Sequence, residues 1–322
     1  MLETTTNDPR LASIPQGIHR FAFLTSACTV LLLMAGALVT SNDAADSVPD
    51  WPLAYGKIIP PLVGGIRYEY AHRLMAGTVA ILTLVLAILL ARSGSRFLRN
   101  LGFTALILVI AQAVLGGMRV KFHNPALTAT IHAILAQIFF ITVVSLSLFT
   151  SQWWNSAPPK LDDRASPPLR ALSAITAAAI FVQLILGAGF RHGAFGILPH
   201  IIGAIVVLFL SIWTSRTVRV RFGTVKQLRR WGILLQSFIG TQFLLGIAAY
   251  WAVVQEIQAQ QPTAAYVILT VAHVLVGALT LAASVVLALS AFRAIRNDAT
   301  VSAATTVAGS PATGSRTEGS RA

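Results

Sequence analysis

The 322 residues are 55% hydrophobic and only 11% charged, and the mean hydropathy is +0.72. These values lie well outside the composition of a soluble domain and indicate an integral membrane protein. The net charge of +13 would suit nucleic acid, but the basic residues lie in short segments between apolar runs instead of along one soluble face. The composition therefore predicts a lipid bilayer as partner and excludes nucleic acid.

Apolar runs of roughly 20 residues, long enough to cross a bilayer core of about 30 Å, recur along the chain. They cover residues 20–40, 70–91, 99–118, 126–149, 170–189, 197–215, 231–253 and 264–292. An all-α integral membrane fold with eight transmembrane helices is predicted from these runs.

Basic residues indicate the orientation, because Lys and Arg are retained in cytoplasmic loops. Most of the 24 basic residues precede the first run or follow an even-numbered run. The connections after odd-numbered runs contain far fewer, namely Lys57, Arg67, Arg119, Lys121 and Arg191. We therefore expect a multi-pass protein of the cell (inner) membrane with both termini in the cytoplasm.

A proline-rich segment divides the chain into two halves. Gln152 to Leu169, QWWNSAPPKLDDRASPPL, carries two Pro-Pro pairs and several charges, which is typical of an exposed linker. We expect two pseudo-symmetric four-helix bundles, residues 1–155 and 170–296, joined by a cytoplasmic linker at 156–169. The tail, 297–322, has too little apolar surface to fold and is predicted to be disordered.

A helical hairpin is repeated four times along these runs. The odd-numbered runs end in small residues, in LLLMAGALVT, AQAVLGGMR, VQLILGAGFR and TQFLLGIAAY. Gln112, Gln183 and Gln242 each precede the repeated glycine by four residues, and this pattern alone is typical of close helix packing. Every even-numbered run carries a histidine towards its outer end, and these are His72, His132, His200 and His273.

Four such histidines at similar depth indicate ligands, because polar groups in a bilayer are costly and usually face the bundle interior. A zinc site needs three or four converging donors. A di-iron carboxylate site needs several glutamates, whereas only Glu69 lies in a Glu-x-x-His motif. A four-histidine metal centre stays an alternative. Haem iron takes axial ligands from opposite sides, so the simplest expectation is two haem pockets, His72 with His132 and His200 with His273.

These motifs resemble the haem A synthase family, whose members oxidise a methyl group of haem O to the formyl group of haem A for terminal oxidases. The strongest matches are GALVTSNDAADSVPDWPLAYGKIIPP (36–61) and YEYAHRLMAG (68–77), supported by the repeated odd-run motifs. The resemblance covers roughly residues 20–292. Many relatives carry a cysteine pair in the first outer connection, whereas residues 41–67 contain none and Cys28 is the only cysteine. The chain is therefore identified as resembling the cysteine-lacking members.

The resemblance implies a role for each matched residue. His72 and His132 would be the axial pair of a pocket in which haem O is the substrate. His200 and His273 would hold a haem b cofactor. Glu69, one helical turn from the first histidine, would be a catalytic carboxylate. The implied partners are haem O, an electron donor such as a quinol or a redox protein, and the haem O synthase that supplies the substrate.

Charged and aromatic residues near the first pocket complete this hypothesis. Arg73 follows the first histidine, and its planar fork would suit a haem propionate; Arg67, Arg119, Lys121 and Arg191 are further candidates for that role. Asp50, Trp51 and Pro52 are expected to form a lid, although Trp51 would also suit a membrane-interface anchor.

Two other functions explain part of the pattern. A di-haem, cytochrome b-like, quinol-linked electron-transfer protein would need four histidines but gives no reason for Glu69 in only one half. A transporter built from repeated bundles would have its substrate cavity near the membrane midplane instead of ligands near one face.

Overall fold

The computed structural model describes residues 14–122, 126–156, 160–257 and 259–296, and within these ranges the chain forms nine helices. They are α1 (Gln16–Ser41), α2 (Ile66–Ala91), α3 (Arg96–Phe122), α4 (Ala126–Phe149), the short α5 (Gln152–Asn155), α6 (Leu169–Arg191), α7 (Leu198–Arg221), α8 (Lys226–Glu256) and α9 (Ala264–Ala294). All except α5 are long and apolar enough to span a membrane, which confirms the all-α class and the eight predicted spans. The predicted tail and His123 lie outside the described residues.

Several helices extend beyond the predicted apolar runs. Helix α2 begins at Ile66 instead of residue 70, and α8 covers Lys226–Glu256 instead of 231–253. A helix satisfies its own backbone hydrogen bonds, so it continues past the bilayer-length stretch while long charged side chains reach towards water.

The spanning helices form two rings of four. Helices α1 and α3 each pack against both α2 and α4, and in the second half α6 and α8 each pack against both α7 and α9. Each ring follows the same chain order, so α2 and α4 lie diagonally in the first bundle as α7 and α9 do in the second. This is the pseudo-symmetric pair of four-helix bundles that the repeat predicted.

Helix α9 lies at the junction of the two bundles. It contacts α1 and α4 of the first bundle in addition to α6 and α8 of its own. In the apolar window of α9, 67% of the residues are buried, against 22–39% in the other spanning helices. Small buried residues such as Gly277, Ala278 and Ala283 permit this close packing on several sides.

The linker between the bundles is bound to the second bundle instead of being wholly exposed. The N–H of Leu161 donates to the carbonyl of Ala294, and the N–H of Arg296 donates to the carbonyl of Leu161, both at 2.8 Å. Asp163 is only 7% exposed, and its carboxylate accepts the N–H of Leu169 at 2.6 Å at the start of α6. The expectation of an exposed linker is therefore wrong for these residues, because main-chain pairing holds them against α9.

Candidate functional site

The four histidines predicted as ligands lie in α2, α4, α7 and α9, the diagonal helices of the two bundles. All four are half-buried. In His72, His132 and His273 the ring atom Nδ1 is buried and has no hydrogen-bond partner among the described residues. A buried ring nitrogen that has no hydrogen-bond partner is costly unless a bound ligand satisfies it. The rings therefore have unused bonding capacity inside the bundles.

A glycine in the preceding helix faces each of these rings. The distances from a Cβ atom built on the glycine to Cε1 of the histidine are 3.2 Å for Gly36 and His72, 3.5 Å for Gly116 and His132, 2.8 Å for Gly187 and His200, and 3.2 Å for Gly246 and His273. A methyl group would crowd the ring in three of these four places and just touch it in the fourth. The repeated glycine of the sequence thus makes room for an imidazole, in addition to allowing helices to approach.

The repeated glutamines bond to the same histidine positions. Their Nε2 atoms lie 2.9 Å from the carbonyl oxygen of His132 (Gln112), 2.8 Å from the carbonyl oxygen and 3.0 Å from Nδ1 of His200 (Gln183), and 3.3 Å from Nε2 of His273 (Gln242). Leu32 occupies the matching position in α1, so the first hairpin lacks this bond. The glutamines therefore act in helix packing, as the pattern alone suggested, and also position the histidines.

His200 and His273 face each other across the second bundle. Their ring centroids are 6.2 Å apart and their planes make an angle of 83°. With a metal–nitrogen bond of about 2 Å and a nitrogen about 1.2 Å from the ring centre, two imidazoles on opposite sides of one metal ion have centroids about 6.4 Å apart. The observed spacing fits two axial ligands of a single iron ion.

Other metal sites considered from the sequence find no support in the described part of the chain. There, no group of three or more His, Cys, Asp or Glu side chains comes close enough to hold a metal ion. A zinc site, a di-iron carboxylate site and a four-histidine centre all need such a group. An opposed pair of imidazoles, as His200 and His273 form, is an arrangement that suits a haem iron.

Glu69 and Arg73 bind the connection after α1 to helix α2. Glu69 is only 4% exposed; its Oε2 accepts the N–H of Val48 at 2.9 Å, and its Oε1 accepts a bond from Arg73 at 2.5 Å. Arg73 also donates to the carbonyl oxygens of Asp50, Leu53 and Val48, at 2.7, 2.9 and 3.2 Å. These contacts use four of the five guanidinium donors. The E-x-x-H-R motif therefore fixes the connection to the helix that carries the first histidine.

A turn in this connection is closed by Asp50. Its carboxylate accepts the N–H groups of Tyr55 and Gly56 at 2.6 and 2.7 Å. Both of those residues have left-handed backbone, with φ of 55° and 66°. The bond from Gly56, with that from Tyr55 and the nearby Arg73, lowers the pKa of Asp50 below its ordinary value. The hydroxyl of Tyr55 donates to the carbonyl of Ser47 at 2.8 Å, so the turn is held on two sides.

Trp51 covers the end of the first bundle. A Cβ atom built on Gly117 would lie 2.8 Å from Cδ2 of its indole ring. The preceding residue, Gly116, faces His132. Trp51 is 40% exposed, so one side of its ring rests on α3 and the other side is accessible to the surroundings. This is the position that the predicted lid requires, and we call residues 47–56 the lid.

The second bundle has a much shorter outer connection, residues 192–197. The ring of Phe195 lies against Gly189. Burial, followed by the charges of Arg191 and Arg119, lowers the pKa of His192 to about 4. Ile197 and Ile201 occupy the positions that Glu69 and Arg73 hold in the first bundle.

Arg191 joins the two bundles at this end. Its Nη2 donates to Oγ of Ser41 at 2.7 Å and lies 3.3 Å from the carbonyl oxygen of Ala37, both in α1. Oγ of Ser41 is in turn 2.8 Å from Oγ1 of Thr270 in α9. Sequence reasoning named Arg191 only as a propionate candidate and missed both hydroxyl residues, because single Ser and Thr residues are common in membrane helices.

Comparisons with known proteins agree with this arrangement. Residues 66–200 match the family model COX15-CtaA, described as cytochrome oxidase assembly protein, and this range includes the first three of the four histidines. The chain is 32% identical over 146 residues to the haem A synthase of Halalkalibacterium halodurans, covering 44% of this chain and 49% of that protein. It is 26% identical over 184 residues to the haem A synthase of Symbiobacterium thermophilum, covering 55% and 60%. The matched part of the chain spans about half the length of these curated relatives.

Proposed function

We propose that this chain, of which residues 66–200 match the COX15-CtaA model of cytochrome oxidase assembly proteins, is a haem A synthase. In this proposal it is an oxidoreductase that converts the C8 methyl group of haem O to the formyl group of haem A for terminal oxidases. The names of its curated relatives support the assignment. The structural observation that carries it is the fourfold packing of a glycine against an intramembrane histidine, which gives each bundle one pair of candidate ligands.

The two bundles have different tasks in this proposal. His72 and His132 hold substrate haem O in the first bundle, and His200 and His273 hold haem b in the second. The 6.2 Å spacing of the second pair and the unpaired ring nitrogens support this assignment. Haem iron supplies redox chemistry when bound, while the protein supplies position and electrostatics.

The lid distinguishes the first pocket as the reactive one. Trp51 rests on α3 beside the glycine that faces His132, so the lid limits the access of water to this end of the bundle. Glu69 and Arg73 hold the lid: Oε2 of Glu69 accepts the N–H of Val48 in the lid, and Oε1 accepts a bond from Arg73, which itself donates to lid carbonyls. The catalytic role of Glu69 and the propionate role of Arg73 stay predictions, and holding the lid is the function that their contacts support most directly.

Orientation and partners complete the proposal. The excess of basic residues at the linker end favours a cytoplasmic linker with both termini on that side of the cell membrane. The lid then lies on the outer side. Haem O synthase supplies the substrate. Converting a methyl group to a formyl group removes four electrons, so the reaction also needs an oxidant, for which we propose dioxygen: two oxygenation steps consume two dioxygen molecules, take four electrons from a quinol or a redox protein, and release water.

Incubating the purified protein with haem O, a quinol and dioxygen, and analysing the extracted pigments, tests the activity. We expect haem A, or its alcohol precursor, from the wild type and from His19→Ala, because His19 contacts the Ser147 carbonyl at the opposite end of the first bundle. His72→Ala should give no oxidised product.

A wild-type protein with a normal haem b spectrum and no product would contradict the proposal. That result would favour a di-haem, cytochrome b-like, quinol-linked electron carrier. One observation already suits this second candidate: both carboxylate oxygens of Glu69, the residue that distinguishes the halves, are already bonded, one to Val48 of the lid and one to Arg73.

A further inference from the structure

A basic cavity lies at the end of the molecule opposite the lid, where the linker meets the start of α6 and the end of α9. Its volume is about 250 Å³. The residues that line it are Asp163, Pro168, Arg170, Ala171, Phe292, Ile295 and Arg296. We call it the linker cavity, and the proposed oxidation of haem assigns it no role.

Positive charge prevails around the linker cavity. Arg170 and Arg296 line it, and the pKa of nearby Lys160 is lowered by burial, Arg293 and Arg170. Burial contributes most to that lowered pKa, and the positive charges of Arg293 and Arg170 act in the same direction. The cavity is therefore suited to an anionic ligand.

The carboxylates near the linker cavity do not neutralise these cations. Asp163 accepts the N–H groups of Leu169 and Ala165, at 2.6 and 3.2 Å, and therefore serves mainly to start α6. Asp162 is exposed and its carboxylate lies 3.7 Å from Arg296, which is an exposed and weak ion pair. The Arg170 guanidinium lies 4.5 Å above the Phe292 ring instead of against a carboxylate.

Apolar surface adjoins the charged wall. Phe292 is 44% exposed, whereas Ile295 beside it is buried. Both lie at the end of α9, one of the membrane-spanning helices, where the headgroup region of a bilayer is expected. Basic pockets between spanning helices, with apolar surface next to them, are typical sites for the headgroups of anionic lipids.

We propose that the linker cavity binds the phosphate group of an anionic phospholipid, with Arg170 and Arg296 as its ligands and Phe292 against the apolar part of the lipid. Free phosphate carries the same kind of negative charge, but it has no apolar part that could contact Phe292. Because linker residues and both α6 and α9 form the cavity, a bound lipid stabilises the attachment of the linker to the second bundle.

Native mass spectrometry of the purified full-length protein tests this proposal. The protein is incubated with phosphatidylglycerol, phosphatidylcholine or inorganic phosphate in separate samples. We expect wild-type protein to retain phosphatidylglycerol in preference to phosphatidylcholine. The double variant Arg170→Ala/Arg296→Ala should bind phosphatidylglycerol about thirtyfold more weakly, because each basic residue near an anionic lipid contributes about fivefold.

Two matched double variants separate the site from general charge and from folding. Arg229→Ala/Arg230→Ala removes two exposed cations of α8 that do not line the cavity, so its binding should stay within about twofold of wild type. Arg170→Lys/Arg296→Lys keeps the charge and should retain most of the binding. Equal losses in the two alanine variants, or no loss in either, would overturn the site. Displacement of the lipid by equimolar inorganic phosphate would overturn the lipid as its ligand.

Discussion

Each of the two bundles is a ring of four helices in the same order, but the two differ in what covers their outer ends. In the first, a long connection folds back as a lid, bonded to α2 by Glu69 and Arg73, with Trp51 resting on α3. In the second, a short connection places Phe195 against α6. Among its described residues, this bundle has no ion pair like that of Glu69 and Arg73, which we call the charged clamp. The repeated helices therefore account for two similar pairs of intramembrane histidines, and the connections account for the difference between the halves.

The charged clamp has a physical cost that only the first bundle bears. A buried carboxylate is unfavourable unless it is paired and hydrogen-bonded, and Glu69 is both. The second bundle avoids this cost with Ile197 and Ile201 at the matching positions. A buried ion pair contributes little net stability compared with apolar residues, so its position beneath the lid indicates a role in fixing the lid.

Histidine substitutions give the largest expected effects and test the division between the bundles. His200→Ala or His273→Ala should abolish the haem b absorbance, because each removes one axial ligand. His72→Ala or His132→Ala should leave that absorbance intact while lowering haem O conversion by more than about hundredfold. Absorbance spectra and pigment extraction measure both effects on the same preparations. Equal loss of haem b in all four variants would mean that the bundles do not have separate tasks.

Removing the clamp should have the next largest effect. Arg73→Ala deletes four hydrogen bonds to the lid and its own helix, and we expect kcat/KM for haem O to fall by about ten- to a hundredfold. Haem b binding in the second bundle should be unchanged. Limited proteolysis should cut the lid faster in the variant, whereas undisturbed proteolysis with lost activity would favour direct binding of a haem propionate.

Glu69→Gln separates a catalytic carboxylate from a positioning one. Glutamine has a single carbonyl oxygen, so it can accept the bond from Val48 or from Arg73 but presents its NH2 group to the other donor; a positioning role therefore predicts a decrease of about tenfold in kcat, similar to that of Glu69→Ala. A role in proton transfer predicts a decrease of about a hundredfold or more at unchanged KM. Steady-state kinetics of Glu69→Gln beside Glu69→Ala makes this distinction.

Much of this arrangement follows from the sequence because membranes constrain it strongly. Apolar runs of bilayer length fix the spans, and the fourfold spacing of Gly, Gln and His identifies the hairpins. The bonds of the lid were not predictable, since Glu69 binds a main-chain N–H and Arg73 binds main-chain carbonyls, which carry no side-chain signature. The same reason explains why Leu161 was expected in an exposed linker, although its backbone pairs with α9.

Glycine substitutions grade the fit of the two histidine rings in the second bundle. Gly187→Ala should weaken haem b binding by about tenfold, because the added Cβ atom would lie only 2.8 Å from His200 and the ring must move. Gly246→Ala should have a smaller effect, since its contact with His273 is 3.2 Å. Gly77→Ala, which meets nothing within 4 Å, is the control. Haem b titrations followed by absorbance should give this order, and an equal effect of all three would exclude ring crowding as the cause.

Acidification should release the two outer connections at different pH values, which is the smallest expected effect. The pKa of His192 is about 4 in the closed connection, mainly because of burial, and about 6.5 when released. A histidine with a lowered pKa stabilises the closed form fully above pH 6.5, and this stabilisation is lost as pH falls towards 4. The lowered pKa of Asp50 acts below the ordinary carboxylate value of about 3.9, so the turn that Asp50 closes at residues 50–56 should stay closed where residues 192–197 begin to open. Between pH 7 and 5 we expect hydrogen exchange of residues 192–197, corrected for intrinsic rates, to increase about fivefold because His192 is only partly buried, with little change at Tyr55 and Gly56. His192→Gln should remove this difference, and a turn at residues 50–56 that opens first would show that Asp50 does not close it.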